Sequence, residues 1–73
     1  MKHYWLICDL RTNEIEHMLQ ANDVFLVHED GPHLLVAAEP DTAARIPQAA
    51  WDLFPWCYCE IREANENDIQ DYL

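Results

Sequence analysis

The only glycine in the chain, Gly31, lies in Asp30-Gly31-Pro32 between two apolar runs, and this placement constrains the fold more than any other feature. Asp-Gly favours a tight hairpin, because glycine takes a positive φ without steric cost. The flanking runs, Asp23 to Glu29 and His33 to Glu39, are therefore expected to pair as antiparallel strands. The lack of a second glycine and of any serine also removes the P-loop, the dinucleotide fingerprint and the serine hydrolases. No catalytic motif is left, and 73 residues leave little room for a pocket that would tune paired carboxylates such as Glu60 and Glu63 for acid-base work. The chain is read as a non-enzyme with no cofactor and no metal.

Around the hairpin, His3 to Leu10 is aromatic and apolar and ends at Arg11-Thr12-Asn13, which predicts a first strand. Asn13 followed by Glu16 resembles a capping box, and Ile15, Met18 and Leu19 fall at helical spacing, predicting a helix over 13–21. After the hairpin, Pro40-Asp41-Thr42 offers a turn and an N-cap. The stretch 43–53 favours helix, with a break or kink expected at Pro47. Residues 54–62 are aromatic again and read as a fourth strand, with Pro55 near its start or at an edge. In the acidic segment 63–73, Ile69, Tyr72 and Leu73 predict a short helical tail capped by Asn65 or Asn67.

The order strand, helix, strand, strand, helix, strand is the ferredoxin-like βαββαβ pattern, an α+β fold with a mostly antiparallel four-stranded sheet and two helices on one face. One domain is expected over 1–73, with 1–62 as its core. Alternation along the first strand puts Tyr4, Leu6, Cys8 and Leu10 on one face and His3, Trp5, Ile7 and Asp9 on the other. In the last strand Cys57, Cys59 and Ile61 oppose Trp56, Tyr58, Glu60 and Arg62. The sets containing cysteine suit a helix-covered core. The opposite face would then expose Trp5, Ile7, Trp56 and Tyr58, with Phe25, Val27 and Leu35, and an apolar patch of that size calls for a cover. Three covers are consistent with the sequence: the C-terminal segment, a second copy of the chain in a homodimer, or another protein.

Fourteen Asp and Glu against four Lys and Arg give a net charge of −10, while 51% of residues are apolar, too many for an acidic disordered tail. Such a field repels phosphate backbones and anionic membrane surfaces and attracts basic proteins. Direct nucleic-acid and membrane binding are therefore not expected. No apolar run reaches the ~18 residues of a bilayer span, so a soluble, cytoplasmic protein is expected. Three cysteines, Cys8, Cys57 and Cys59, form no even disulfide framework and fit a reducing compartment. Cys-x-Cys is tighter than the usual zinc-ligand spacing. These cysteines read as small buried residues, and His3, His17, His28 and His33 as solvated side chains.

The charge is concentrated in two blocks. Residues 14–30 carry −5 with no Lys or Arg, and residues 60–73 carry −4 with Arg62 as the only cation. Gathered carboxylates repel one another, so clustering has a cost unless it serves a partner. In size and charge the chain resembles phage-encoded DNA mimics and anti-CRISPR proteins. That resemblance implies a small acidic inhibitor, in the host cytoplasm if phage-encoded, that blocks the DNA or RNA site of a basic nucleic-acid-binding protein or ribonucleoprotein complex by charge mimicry. The expected contacts are Glu14, Glu16, Asp23, Glu29, Asp30, Glu60, Glu63, Glu66, Asp68 and Asp71, with Trp56, Tyr58 and Tyr72 as apolar anchors. The alternative is a structural or regulatory homo-oligomer that associates through its aromatic sheet face.

Overall fold

The computed structural model describes residues 1–9, 12–55 and 57–72, with the side chains of Thr12, Asp68 and Tyr72 outside the description. It has a small α+β fold: β1 (Lys2–Cys8), α1 (Thr12–Ala21), β2 (Phe25–Asp30), β3 (His33–Ala38), α2 (Pro40–Leu53), β4 (Cys59–Glu63) and a short α3 (Glu66–Ile69) that runs into a 3-10 turn over Gln70–Tyr72. The four strands form one sheet in the order β2-β3-β1-β4, and every neighbouring pair is antiparallel. Gly31 turns the β2–β3 hairpin at φ 59°, as the Asp-Gly dipeptide requires.

One sheet face is packed by both long helices. Ile15, Met18 and Leu19 of α1 and Ala43, Ile46 and Ala50 of α2 meet Leu6 and Cys8 of β1 and Leu34, Val36 and Ala38 of β3. Alanines at two of the three inward α2 positions let that helix lie close to the sheet. The other face is covered in part by the C-terminal segment, where Ile69 and Ala64 pack on Leu35 with Trp5 and Val27 beside them. Leu35 is therefore fully buried, although its face was expected to be open. Asn65 starts this cover as the N-cap of α3, its side-chain oxygen accepting from the Asn67 N–H at 2.9 Å.

Several local features differ from expectation. The first strand ends at Cys8 instead of running on to residue 10. Helix α2 starts at Pro40, whose missing N–H is one of the donors that have no helical partner anyway, and Glu39 is its N-cap. It also runs unbroken through Pro47. The Ala43 N–H donates to the Glu39 carbonyl at 2.9 Å, so the first turn is complete before Pro47 is reached. Strand β4 starts at Cys59 and not at Phe54, because the Phe54 N–H still donates to Ala50 at 2.8 Å and the Cys57 N–H donates to Phe54 at 3.1 Å. Asn13 lies inside α1, its side chain accepting from the next residue's N–H at 3.0 Å, so it is not the cap that its spacing to Glu16 implied.

Strand β2 carries a bulge. Leu26 pairs with Val36 but His28 pairs with Leu35, leaving Val27 as the extra residue. The slip turns His28 and Asp30 to the face that carries α3. Among the described residues no helix is long and apolar enough to cross a membrane.

Candidate partner-binding site

The two acidic blocks fall at opposite edges of the sheet. β2 and β4 are the outer strands, three inter-strand steps or about 14 Å apart. Glu29 and Asp30 lie exposed near the end of β2. Exposed Glu16 and half-buried Glu14 belong to α1, which packs alongside that strand. Asp23, in the turn between them, has φ 58°. Its N–H donates to Gln20 at 3.3 Å, and the Val24 N–H donates to Leu19 at 2.9 Å. Asp tolerates this left-handed conformation better than most residues, so closing α1 accounts for Asp23 independently of any partner.

A groove of about 320 Å³ lies between α1 and β2, lined by Glu16, Leu19, Gln20, Val24, Phe25 and Leu26. It sets the exposed Glu16 beside the apolar Leu19, Val24 and Leu26, whereas Phe25, 58% exposed, pairs with Ala37 and directs its ring to the other sheet face. Such a wall, apolar with a carboxylate at its edge, suits a lysine or arginine, whose aliphatic stem lies along apolar surface while its charged end meets the acid.

At the β4 edge the acids meet cations of the same chain. Glu63 accepts from Lys2 Nζ at 3.4 Å. Glu60 takes hydrogen bonds from both the Arg62 guanidinium and the Tyr58 hydroxyl. The Arg62 bond, followed by the Tyr58 bond, holds the Glu60 carboxyl below the usual glutamate range, and the Glu60 bond raises Tyr58. Glu66 and Asp71 are exposed on the C-terminal segment. The structure thus brings Glu14, Glu16 and Glu29 to the helix side of one edge, sets Asp30 on the same strand but on the opposite face, and puts Glu60, Glu63, Glu66 and Asp71 at the other edge and the face beside it. The Asp68 side chain lies outside the description.

Of the expected apolar anchors, Tyr58 is exposed but bonded to Glu60, Trp56 lies outside the described residues, and so does the Tyr72 side chain. Phe25, expected on the open face, is 58% exposed, and Trp51 and Leu53, which were not singled out by sequence, are also more than half exposed. For Trp51 a signal existed: one step past Ala50 turns a side chain by ~100°, off the stripe of Ala43, Ile46 and Ala50. The uncovered part of the second face holds an open groove of about 310 Å³ lined by Trp5, Ile7, Asp30, His33 and Arg62. With two charged residues in its walls, it is more mixed than the aromatic surface expected for self-association.

The three cysteines converge below the helix-covered face. Cys8 is buried and Cys57 and Cys59 half-buried, all with free thiols. Burial, then the neighbouring Cys8 thiol, pushes Cys59 up to about 12 and Cys57 upward as well. Among the described residues no group of three or more His, Cys, Asp or Glu side chains is arranged to hold a metal ion. No family model, curated protein or solved structure matches the chain.

Proposed function

We propose that the protein is a small acidic inhibitor that engages a basic nucleic-acid-binding protein or ribonucleoprotein complex through its α1–β2 edge and competes there with DNA or RNA. The observation that carries this reading is the edge itself: Glu16 and Glu29, with Glu14 on the same helix and Asp30 on the same strand, come from a stretch of sequence, 14–30, that holds no Lys or Arg, along the groove between α1 and β2. Carboxylates paired within their own chain have less to offer a cationic partner, so the β4 edge, with Lys2 and Arg62 already engaged, is the secondary surface. The framework is read as a ferredoxin-like split βαβ unit. The sheet order, the antiparallel pairing and the packing of both helices on one face support that reading. In a cytoplasm, this edge would act without chemistry, by occupying a cationic groove that otherwise holds a phosphate backbone.

The test is affinity capture from a cell lysate at low and high salt, with duplex DNA and structured RNA as competitors. The expected result is capture of basic nucleic-acid-binding proteins that salt and at least one competitor displace, because exposed charge pairs are screened over a Debye length of ~8 Å at physiological ionic strength. Capture insensitive to both salt and nucleic acid would contradict the reading.

A further inference from the structure

We propose that Cys8 and Cys59 form a modification site, a cross-strand thiol pair that a low-molecular-weight disulfide converts to an intramolecular disulfide. Cys8 and Cys59 are directly opposed on β1 and β4. The Ala64 N–H donates to the His3 carbonyl at 2.9 Å and the Asp9 N–H to the Tyr58 carbonyl at 3.4 Å, so the odd-numbered residues of β1 hold the hydrogen bonds to β4. Cys8 lies between them in phase and instead directs its N–H to Pro32, on the β3 side, at 3.3 Å.

Cys8 and Cys59 are therefore a non-hydrogen-bonded pair, the class in which opposed Cα atoms approach to about 4.5 Å and side chains are closest. That separation falls within the range that a disulfide spans. Both side chains face the helix-covered core, where Cys8 is close enough to raise the thiols of both Cys59 and Cys57. Cys57 precedes the β4 ladder, so no strand pairing fixes it opposite Cys8, and its Sγ–H points to the Ala50 carbonyl at 3.8 Å.

The exchange balances without a metal or an electron carrier. On the alkaline side, where more of the half-buried Cys59 is thiolate, it attacks one sulfur of the small disulfide, forming a mixed disulfide and releasing one thiol that takes up the proton lost from Cys59. Cys8 then attacks the Cys59 sulfur, the Cys8–Cys59 bond forms, and the second small thiol leaves with the proton from Cys8. Two protein thiols are oxidised and one small disulfide is reduced to two thiols.

The experiment incubates the folded protein with excess oxidised glutathione, quenches with acid, alkylates the remaining thiols and maps the peptides by mass spectrometry. The expected product is an intramolecular Cys8–Cys59 link with Cys57 alkylated. The Cys57→Ala variant should give the same link in similar yield. In Cys59→Ala, intramolecular linkage should fall by about tenfold or more, because Cys57 lacks the strand register that a disulfide's geometry demands. Repeating the reaction in denaturant should abolish the preference for Cys8–Cys59. The proposal is overturned if the wild-type product is chiefly Cys8–Cys57, a link between chains or a glutathione adduct that goes no further, or if all three thiols remain alkylatable.

Discussion

At the β2 edge, the carboxylates come from a stretch of sequence, 14–30, that holds no Lys or Arg, on a bulged outer strand and the helix beside it. At the β4 edge, Lys2, Arg62 and the Tyr58 hydroxyl engage Glu63 and Glu60, and the chain beyond folds back over the sheet as structure. Similar composition therefore serves two ends. The second block supports the fold through Asn65 and Ile69, whereas at the first edge Asp23 closes α1 and Glu16, Glu29 and Asp30 lie exposed. Clustered acid in a sequence thus points to a partner only after acids that satisfy their own chain are set aside.

This contrast can be broken most severely at Ile69, which is 1% exposed among Leu35, Ala64 and Trp5. Ile69→Ala should cost about 2–4 kcal/mol in urea unfolding through lost burial and the cavity left behind. It should also shift tryptophan fluorescence to the red as Trp5 becomes wetter. The matching change at the other edge, Phe25→Ala, should leave stability nearly unchanged, because that ring is already mostly in solvent. Equal losses at both sites would show that the two edges are not divided between fold and partner.

Next in size is the combined reversal Glu14→Lys, Glu16→Lys, Glu29→Lys and Asp30→Lys. It should weaken capture of the basic partner by about a hundredfold at low salt, from loss of attraction plus new repulsion. Reversal of Glu60, Glu63, Glu66 and Asp71 should weaken it by less than about tenfold, since two of these acids already have cationic neighbours. A smaller effect is expected from Asn65→Ala, which removes the α3 cap and should cost about 1 kcal/mol. It should leave capture intact.

The smallest effect sharpens the account of the β4 edge. Glu60 is held below its ordinary range in the folded protein, so its contribution is present above the unfolded value and is lost as pH falls through the folded one. Glu60→Gln should therefore slightly flatten the acid-side loss of stability, measured as urea midpoints between about pH 6 and about pH 3. The buried thiols behave oppositely. Iodoacetamide should label Cys59 slowly at neutral pH and faster by up to about tenfold per pH unit on the alkaline side, because only the thiolate reacts. The groups acting on Cys59 are Cys8, Cys57 and Asp9.

Much of the fold was legible because local chemistry and tertiary demand agree. Gly31 admits one kind of hairpin. The run Leu34 to Ala38 is apolar at every position, and β3 is indeed buried on both faces, with helices on one side and the tail on the other. That run already held the sign that the second face is covered. The β4 start was not legible, since the aromatic residues from Phe54 have strand propensity but their N–H groups serve the end of α2 first. Nor was the Val27 bulge, whose single-residue slip leaves no mark in an apolar run. The sequence displayed two acidic blocks but not their separation, which follows from a sheet order that sends β2 and β4 to opposite edges.

The central claim, that the α1–β2 edge is the surface offered to a cationic partner, is tested most directly by titrating isotope-labelled protein with a lysine- and arginine-rich peptide and following backbone amide shifts. The account predicts that the amides of Glu14 to Gln20, Phe25 and Glu29 to Asp30 move first and furthest, and that they return when salt is added. Earlier or larger movement at Glu63 to Asp71, or uniform movement at both edges, would contradict it.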